Sequence, residues 1–180
     1  TTTPDGYYVD ENGCWEITIN TFQYKNLKST SNYTSSELDE MISIMGGDNG
    51  KLAGKGATFK AAEERYGVNA LYLLAHAGLE SAWGKSQIAI LKNNFFGIAA
   101  YDNTPFQSAY SFDGVDAGIL GAAKFINNTY LENEGFPARG AFLGDKTRGM
   151  NVYYATDPNW GYKIAKIMFN LNERMGRKDY

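Results

Sequence analysis

The chain has 180 residues, 43% of them hydrophobic and 14% aromatic, which suits one main globular domain with a sizeable core. Its formal net charge of -3, without a long basic block, argues against a nucleic-acid partner, because phosphate binding depends on clustered lysine and arginine. A single cysteine and a single histidine cannot supply an internal disulfide or a zinc cluster, so we expect no metal and no cofactor.

The first predicted element is a short β-hairpin within residues 5–19. Aromatic and aliphatic residues alternate there with polar ones around Glu11-Asn12-Gly13, a pattern that favours a turn between two strands. The segment also resembles the final unit of the aromatic, glycine-containing repeats with which many surface proteins hold wall polymers, although a plain structural hairpin explains a single copy better. We therefore divide the chain into an N-terminal hairpin segment, residues 1–28, and a main domain, residues 29–180.

Helical periodicity begins at Thr34. Thr34 and Glu37 make a capping box, and apolar residues then recur at helical spacing until Gly46-Gly47 ends the helix. A second helix is predicted over residues 57–66 and ends at Gly67.

The third predicted helix is opened by the cap Asn69 and ends near Gly84. It is apolar on nearly every face, so it should lie in the centre of the fold. Its apolar stretch, residues 68–79, is too short to cross a bilayer, and no signal-peptide pattern opens the chain. We therefore expect no membrane insertion.

Two further helices are predicted in the second half of the chain. One begins at Asp116, which we interpret as its cap, and the last begins with Asp157 as cap and Pro158 in the first turn. Two irregular stretches, residues 84–115 and 131–156, separate the helices and are rich in asparagine, glycine and aromatic residues. Loops of that length inside a compact domain are usually functional.

Glu80 is the leading candidate for a catalytic residue, because it is a carboxylate at the end of the most apolar helix. Burial and the negative end of the helix dipole should both raise its pKa, and Trp83 can lie beside the carboxyl as an apolar wall. A carboxylic acid that stays protonated near neutral pH can protonate a glycosidic oxygen. The alternative is an exposed carboxylate paired with Lys85. A Cys14–His76 nucleophile pair is disfavoured, because the first lies in a turn and the second in an apolar helix.

Several separated motifs carry a family resemblance. They begin with GKGATFKAAEERYGVNALYLLAHAGLESAWGKSQIA from Gly54 and continue with NFFGIAAYD, AGILGAAKFINNTYL and YATDPNW, roughly residues 51–166. In this order they resemble the glucosaminidase domain of Gram-positive autolysins, glycoside hydrolase family 73.

The resemblance implies an α+β, mainly α, lysozyme-like fold in which a larger helical lobe and a small β-lobe flank a substrate groove. It also implies an endo-β-N-acetylglucosaminidase that hydrolyses the β-1,4 bond after N-acetylglucosamine in peptidoglycan, for cell-wall turnover and daughter-cell separation. Such a protein would be a secreted monomer of the bacterial cell wall, with glycan strands as its partner.

The resemblance further assigns roles to single residues. The family's general acid falls on Glu80, and the aromatic residue of its YATD motif falls on Tyr154, whose hydroxyl would face the cleaved sugar unless it is a core tyrosine. Aromatic faces would stack on sugar rings, and amides would hold N-acetyl groups, although Phe96 can also be explained as core. The predicted substrate-binding residues are Trp83, Asn94, Phe96, Tyr101 and Trp160.

The second catalytic group is left open by the sequence. Many relatives carry an acidic residue a few tens of positions after the acid, and this chain offers Asp102, Asp113 and Asp116 there. Asp116 is explained as a helix cap and Asp113-Gly114 as a turn, which leaves Asp102 as the favoured candidate and Asp113 as the second. The family pattern does not decide whether any of them is catalytic.

Two other functions remain as alternatives. A muramidase or lytic transglycosylase shares the fold and the single glutamate but cuts the other glycosidic bond. A non-catalytic wall-binding module would explain the aromatic content, yet it has no need for an acid buried beside Trp83.

Overall fold

The structure, a computed structural model, describes residues 8–9, 15–99 and 109–180. Within them the strands β1 (Tyr8–Val9) and β2 (Trp15–Glu16) pair antiparallel, with Tyr8 opposite Glu16. This pairing confirms the two arms of the predicted hairpin, whose turn lies outside the described residues together with Cys14.

The regular elements of the rest of the described chain are all helices, which confirms the mainly α class. The predicted small β-lobe is not seen at residues 84–99 and 109–115, where the described backbone contains no strand. Residues 100–108 of that region lie outside the described part. The helices, in chain order, are α1 (Ile19–Gln23), α2 (Ser35–Ile44), α3 (Gly56–Tyr66), α4 (Ala70–Ser81), α5 (Gln87–Lys92), α6 (Val115–Ile126) and α7 (Trp160–Arg174).

The predicted signals for α2 and α3 are confirmed. The backbone N–H of Glu37 donates to Thr34 Oγ1 at 3.2 Å, and the N–H of Thr34 donates to Glu37 Oε1 at 3.0 Å, which closes the capping box. α3 ends at Gly67, whose φ of 68° is readily adopted only by glycine.

α4 lies in the centre of the core, as its uniform hydrophobicity predicts. Asn69 Oδ1 accepts the backbone N–H of Tyr72 and caps the helix, and the side chains of Leu71 and Leu74 are fully buried. α1 and α7 pack on each other, and α7 also packs on α4. Among the residues that the structure describes, no helix has the length and apolarity to cross a membrane.

The starts of α6 and α7 differ from the prediction. α6 begins at Val115, and Asp116 lies in its first turn, where its carboxylate accepts Lys55 Nζ at 3.0 Å and Thr58 Oγ1 at 2.8 Å. α7 is capped by Asn159, and the preceding Asp157 accepts the Asn159 N–H at 2.9 Å. Neither aspartate occupies the cap position: Asp116 ties α6 to Lys55 and Thr58, and Asp157 bonds the backbone of the cap residue Asn159.

The chain after the hairpin joins the helical body earlier than residue 29. Phe22 of α1 and the following Leu27 have no exposed surface and belong to the same core as α4. Residues 19–28 therefore pack with the helices rather than with the hairpin. α6 is followed directly by a π-helical turn, Asn127–Leu131, which reaches the predicted start of the irregular stretch, and a 3₁₀ turn forms at Met150–Val152.

Candidate active site

A cleft of about 730 Å³ opens at the C-terminal end of α4. One wall is the segment Gly97, Ile98 and Ala99, and the opposite wall is formed by residues 152–157 and the start of α7. The cleft is aromatic with a few charged groups. The polar and aromatic side chains that line it include Glu80, Tyr130, Lys146, Tyr153, Tyr154, Asp157, Trp160 and Lys163.

Glu80 lies in the last turn of α4, and its side chain is open to the solvent of the cleft. Trp160 Nε1 donates a hydrogen bond to Glu80 Oε1 at 2.7 Å. The protein atoms around the base of the cleft raise the pKa of Glu80 by desolvation, and the negative charge of Asp157 raises it further, while the bond from Trp160 lowers it. The carboxyl is thus both accessible and inclined to hold its proton.

The two oxygens of Glu80 have different surroundings. An indole N–H can only donate, so Oε1 acts as the acceptor and a proton on the carboxyl resides on Oε2. A Cβ at Gly97 would lie 2.7 Å from Oε2, so the glycine leaves the space in front of this oxygen free. The proton-carrying oxygen therefore faces the open cleft.

The chain after Glu80 is held in an unusual conformation. Ala82 and Trp83 have φ values of 51° and 58°, which side-chain-bearing residues adopt rarely and at a cost of about 1 kcal/mol or more each. The indole of Trp83 turns back onto α4 and lies against Gly78, where a Cβ would come within 2.4 Å of the ring. Packing of this indole offsets the backbone strain.

Trp83 packs in the core, and its position gives no support to the predicted contact with substrate. It is 8% exposed and does not line the cleft. The tryptophan beside the Glu80 carboxyl is Trp160, which comes from α7, 80 residues further along the chain. Lys85 does not pair with Glu80 either, since its Nζ donates to the backbone oxygen of Gly46 at 3.1 Å.

Asn94 and Phe96 are also buried, with 2% and 0% of their surface exposed, so neither side chain can contact a sugar in this structure. Asn94 Oδ1 accepts the backbone N–H of Ile98 at 3.2 Å, and its Nδ2 donates to the Ile98 oxygen at 2.8 Å. These bonds shape the turn that carries Gly97 to Glu80. The core explanation of Phe96 is the one that the structure supports.

Tyr154 and Trp160 form one aromatic wall of the cleft. Their rings stack with centroids 4.9 Å apart and an interplanar angle of 19°. The Tyr154 hydroxyl donates to the backbone oxygen of Phe96 at 2.7 Å, and burial raises the pKa of Tyr154 well above its ordinary value. The structure thus brings Tyr154 and Trp160 to Glu80, while the tyrosine hydroxyl ties the wall to the Gly97 turn.

His76 lies beneath this wall and has no exposed surface. Its ring meets Tyr154 and Trp160 edge-on, with centroid distances of 5.0 Å and 5.2 Å, and its Nδ1 is 2.8 Å from the Tyr72 hydroxyl oxygen. Burial lowers the pKa of His76 to about 3, so the ring is neutral at physiological pH. A neutral, enclosed imidazole supports the wall and is not placed to activate a nucleophile.

The candidates for a second catalytic carboxylate differ in their position relative to the cleft. Asp102, like the predicted sugar-binding Tyr101, lies outside the described residues. Asp113 is exposed in the turn before α6 and does not line the cleft. Asp157, which the sequence reasoning treated only as a helix cap, does line it.

Asp157 is held as an anion beside the cleft. Lys163 Nζ lies 2.6 Å from Asp157 Oδ2, and this bond holds the pKa of Asp157 below its ordinary value. Because Asp157 stays ionised, its charge favours the protonated form of Glu80. The YATD motif contains this residue, so the motif itself was the signal that could have identified it.

Lys146 fixes the segment that carries Tyr154. Its Nζ donates to the backbone oxygens of Asn151 at 3.0 Å, Val152 at 3.0 Å and Ala155 at 2.9 Å. One ammonium group therefore ties together three carbonyls around the cleft wall, in the way a bound cation would.

We expect Lys146→Met to weaken both the fold and the cleft wall. Loss of three charge-assisted hydrogen bonds at a solvent-accessible position should lower the free energy of unfolding by about 1–2 kcal/mol and reduce turnover several-fold. Urea unfolding and product release from cell walls measure the two effects. Lys85→Met is the matched control, because Lys85 is also exposed and donates to one carbonyl away from the cleft. Equal loss in both variants would contradict the role of Lys146.

Comparisons with known proteins show the family to which the chain belongs. A relative from Streptococcus pneumoniae, provisionally named an endo-beta-N-acetylglucosaminidase, is 55% identical over 161 residues, which cover 89% of this chain and 24% of that protein. The Beta-N-acetylglucosaminidase of Bacillus subtilis is 30% identical over 177 residues, which cover 91% of this chain and 20% of that protein. The chain thus spans less than a quarter of the length of either relative.

A solved structure shares the fold. It is a catalytic mutant of Staphylococcus aureus autolysin E in complex with the disaccharide NAG-NAM, with a TM-score of 0.68 and 27% sequence identity over 95% of this chain and 88% of that one. The profile of the Glucosaminidase family, described as mannosyl-glycoprotein endo-beta-N-acetylglucosaminidase, matches residues 56–173, well over half of the chain. The chain belongs to the glucosaminidase family.

Proposed function

We propose that this chain is the catalytic domain of an endo-β-N-acetylglucosaminidase that hydrolyses the β-1,4 bond after N-acetylglucosamine in peptidoglycan glycan strands. The observation that carries the proposal is the Glu80 carboxyl, which has a raised pKa at the base of an aromatic cleft. Such a group can donate a proton to a leaving glycosidic oxygen near neutral pH.

In this proposal the glycan lies along the cleft with its glycosidic oxygen in front of Glu80 Oε2. The proton passes from Oε2 to that oxygen while the bond between the oxygen and the anomeric carbon breaks. Glu80 becomes a carboxylate, and the hydrogen bond from Trp160 Nε1 to Oε1 strengthens as the negative charge develops. Trp160 thereby opposes the raised pKa in the resting acid but stabilises the product of proton transfer.

The positive sugar is then captured without a covalent bond to the protein. We propose either attack by the substrate's own N-acetyl oxygen or attack by a loosely held water, because neither route requires a carboxylate nucleophile. In both routes a water finally bonds to the anomeric carbon, directly or by opening the N-acetyl adduct, and its proton passes to the Glu80 carboxylate, which restores the acid. Of the described carboxylates in the cleft, Asp157 is engaged by Lys163 and by the Asn159 N–H, which favours a role as a fixed charge. Asp102 is proposed as an auxiliary group at most.

The cellular location and role of the enzyme are part of the same proposal. The autolysin E mutant binds NAG-NAM, a disaccharide, and the names of the relatives describe glucosaminidases. We propose that this chain works as a secreted monomer in the bacterial cell wall, in wall turnover and daughter-cell separation. We further propose that the helices here correspond to the larger lobe of a lysozyme-like two-lobe enzyme.

The bond that is cut provides the test. We expect soluble products from purified sacculi to carry N-acetylglucosamine at the reducing end, so that borohydride reduction and mass analysis find glucosaminitol. Muramitol would make the protein a muramidase, and anhydro-muramic ends would make it a lytic transglycosylase. Binding to sacculi without any released product would favour the wall-binding module instead.

A further inference from the structure

Phe136 is exposed to an unusual degree for a large apolar side chain, with 79% of its surface accessible. Its ring meets that of Tyr153 edge-on, with centroids 4.8 Å apart, and Tyr153 is itself 48% exposed. The pair presents adjacent aromatic surface that a ligand can cover with a favourable change in free energy.

The loop that carries Phe136 is built to hold it in place. The two hydrogens of Asn133 Nδ2 are shared among the backbone oxygens of Thr129 at 3.2 Å, Gly135 at 2.9 Å and Phe136 at 3.3 Å. Asn133 Oδ1 also accepts the N–H of Gly135 at 3.2 Å. The exposed ring therefore has a fixed backbone beneath it, which lowers the entropy cost of binding.

The aromatic pair is continuous with the cleft. Tyr153 lines the cleft that contains Glu80, and Phe136 extends the same surface beyond the cleft's edge. A polymer that lies across Glu80 and leaves the cleft on this side would pass over both rings. Glu134, an exposed carboxylate two residues before Phe136, disfavours an anionic peptide and leaves an uncharged sugar as the better match.

We propose that Phe136 and Tyr153 form an aromatic platform that stacks against an N-acetylhexosamine ring of the glycan strand, beyond the sugars held in the cleft. The platform rests on the proposed function, since it needs a glycan in the cleft. The platform would give the enzyme a preference for long glycan strands. Strands long enough to reach it bind more tightly than short ones, while proton transfer at Glu80 is unchanged.

The test compares Phe136→Ala with wild type on peptide-free glycan strands prepared by amidase treatment of sacculi, in a long fraction and as tetrasaccharides. Removal of one stacking ring should raise KM on the long fraction about tenfold, with kcat unchanged, because the contact is made equally in ground and transition states. KM on tetrasaccharides should stay as in wild type, and Phe136→Trp should restore tight binding to the long fraction.

Tyr162→Ala is the matched control, because Tyr162 is 41% exposed on α7 and does not line the cleft. It should leave KM unchanged on both substrates. An unchanged KM for Phe136→Ala on long strands would overturn the platform, as would a rise seen only on strands that retain their stem peptides. If wild type released no product, the proposed function would fail, and the Kd of long peptide-free strands for wild type and Phe136→Ala would still decide whether the platform binds sugar.

Discussion

Glu80→Gln is expected to lose roughly a thousandfold or more of the activity on cell walls, because the amide cannot donate a proton to the leaving oxygen. The substitution keeps the shape of the side chain, and the amide oxygen can still accept the hydrogen bond from Trp160 Nε1. Turnover is measured as soluble reducing ends released from purified sacculi. Retention of about a tenth of the wild-type activity would exclude Glu80 as the acid.

Stability separates this loss from misfolding. The pKa of Glu80 is raised in the folded protein, so the folded state favours the protonated carboxyl, and the contribution of this group to stability falls as pH rises through the raised pKa. Glutamine does not ionise, so its contribution to stability does not fall as pH rises. We therefore expect Glu80→Gln to be at least as stable as wild type near neutral pH, with unchanged binding to sacculi.

Asp113→Asn is the matched control for the same change from acid to amide. Asp113 is exposed and does not line the cleft, so its loss should leave most of the activity. The activity of wild type should also fall on the alkaline side as Glu80 loses its proton, and this limb of the pH profile should be the same in Asp113→Asn. An inactive but folded Asp113→Asn protein would require a second catalytic carboxylate at that position.

The features that the sequence predicted correctly depend on neighbouring residues. The capping box of Thr34 and Glu37, the cap at Asn69 and the end of α3 at Gly67 each involve groups within a few positions of one another. The hypothesis that Glu80 is the acid also begins from one short segment, its apolar helix and its place at the helix end. Those two features fit an exposed carboxylate equally well, and the family resemblance decided between the two interpretations.

The features that the sequence missed depend on distant contacts. Trp83 and Trp160 have similar side chains, and only the fold shows that one packs on Gly78 while the other reaches the Glu80 carboxyl. The side-chain amide of Asn94 could hydrogen-bond a sugar, but in the fold both of its polar atoms bond the backbone of the local turn. Side-chain type therefore indicated which residues belong near the site, and packing decided what each one does.

Asp157 is a second residue whose role in the site depends on contacts that the sequence does not show. An aspartate before a proline reads as a cap from sequence alone, and its carboxylate does accept the N–H of Asn159. Its second oxygen takes the hydrogen bond from Lys163, on the following turn of α7, and the pair lies on the cleft wall. The sequence thus indicated only the local structural role of Asp157, and the fold was needed to show that its negative charge lies near Glu80 and favours the protonated form.

Gly97→Ala should also have a large effect, through the position of the acid rather than its chemistry. The added Cβ would lie 2.7 Å from Glu80 Oε2 and 3.3 Å from the carboxyl carbon, closer than such contacts allow. The carboxyl must then move, and movement lengthens its hydrogen bond to Trp160. A displacement on the order of 1 Å at a proton donor should lower kcat roughly a hundredfold. Loss of the Trp160 bond would raise the pKa of Glu80 further and shift the alkaline limb of the pH profile to higher pH.

The control must account for backbone strain, because Gly97 has a φ of 67°, which costs alanine about 1 kcal/mol. Gly54→Ala introduces the same strain, since the φ of Gly54 is 71°, and its Cβ would meet no atom within 4 Å. We expect both variants to lose a similar free energy of unfolding in urea and only Gly97→Ala to lose turnover. Similar turnover in the two variants would mean that Glu80 tolerates a methyl group beside Oε2, and that Oε2 is then not the oxygen from which the proton leaves.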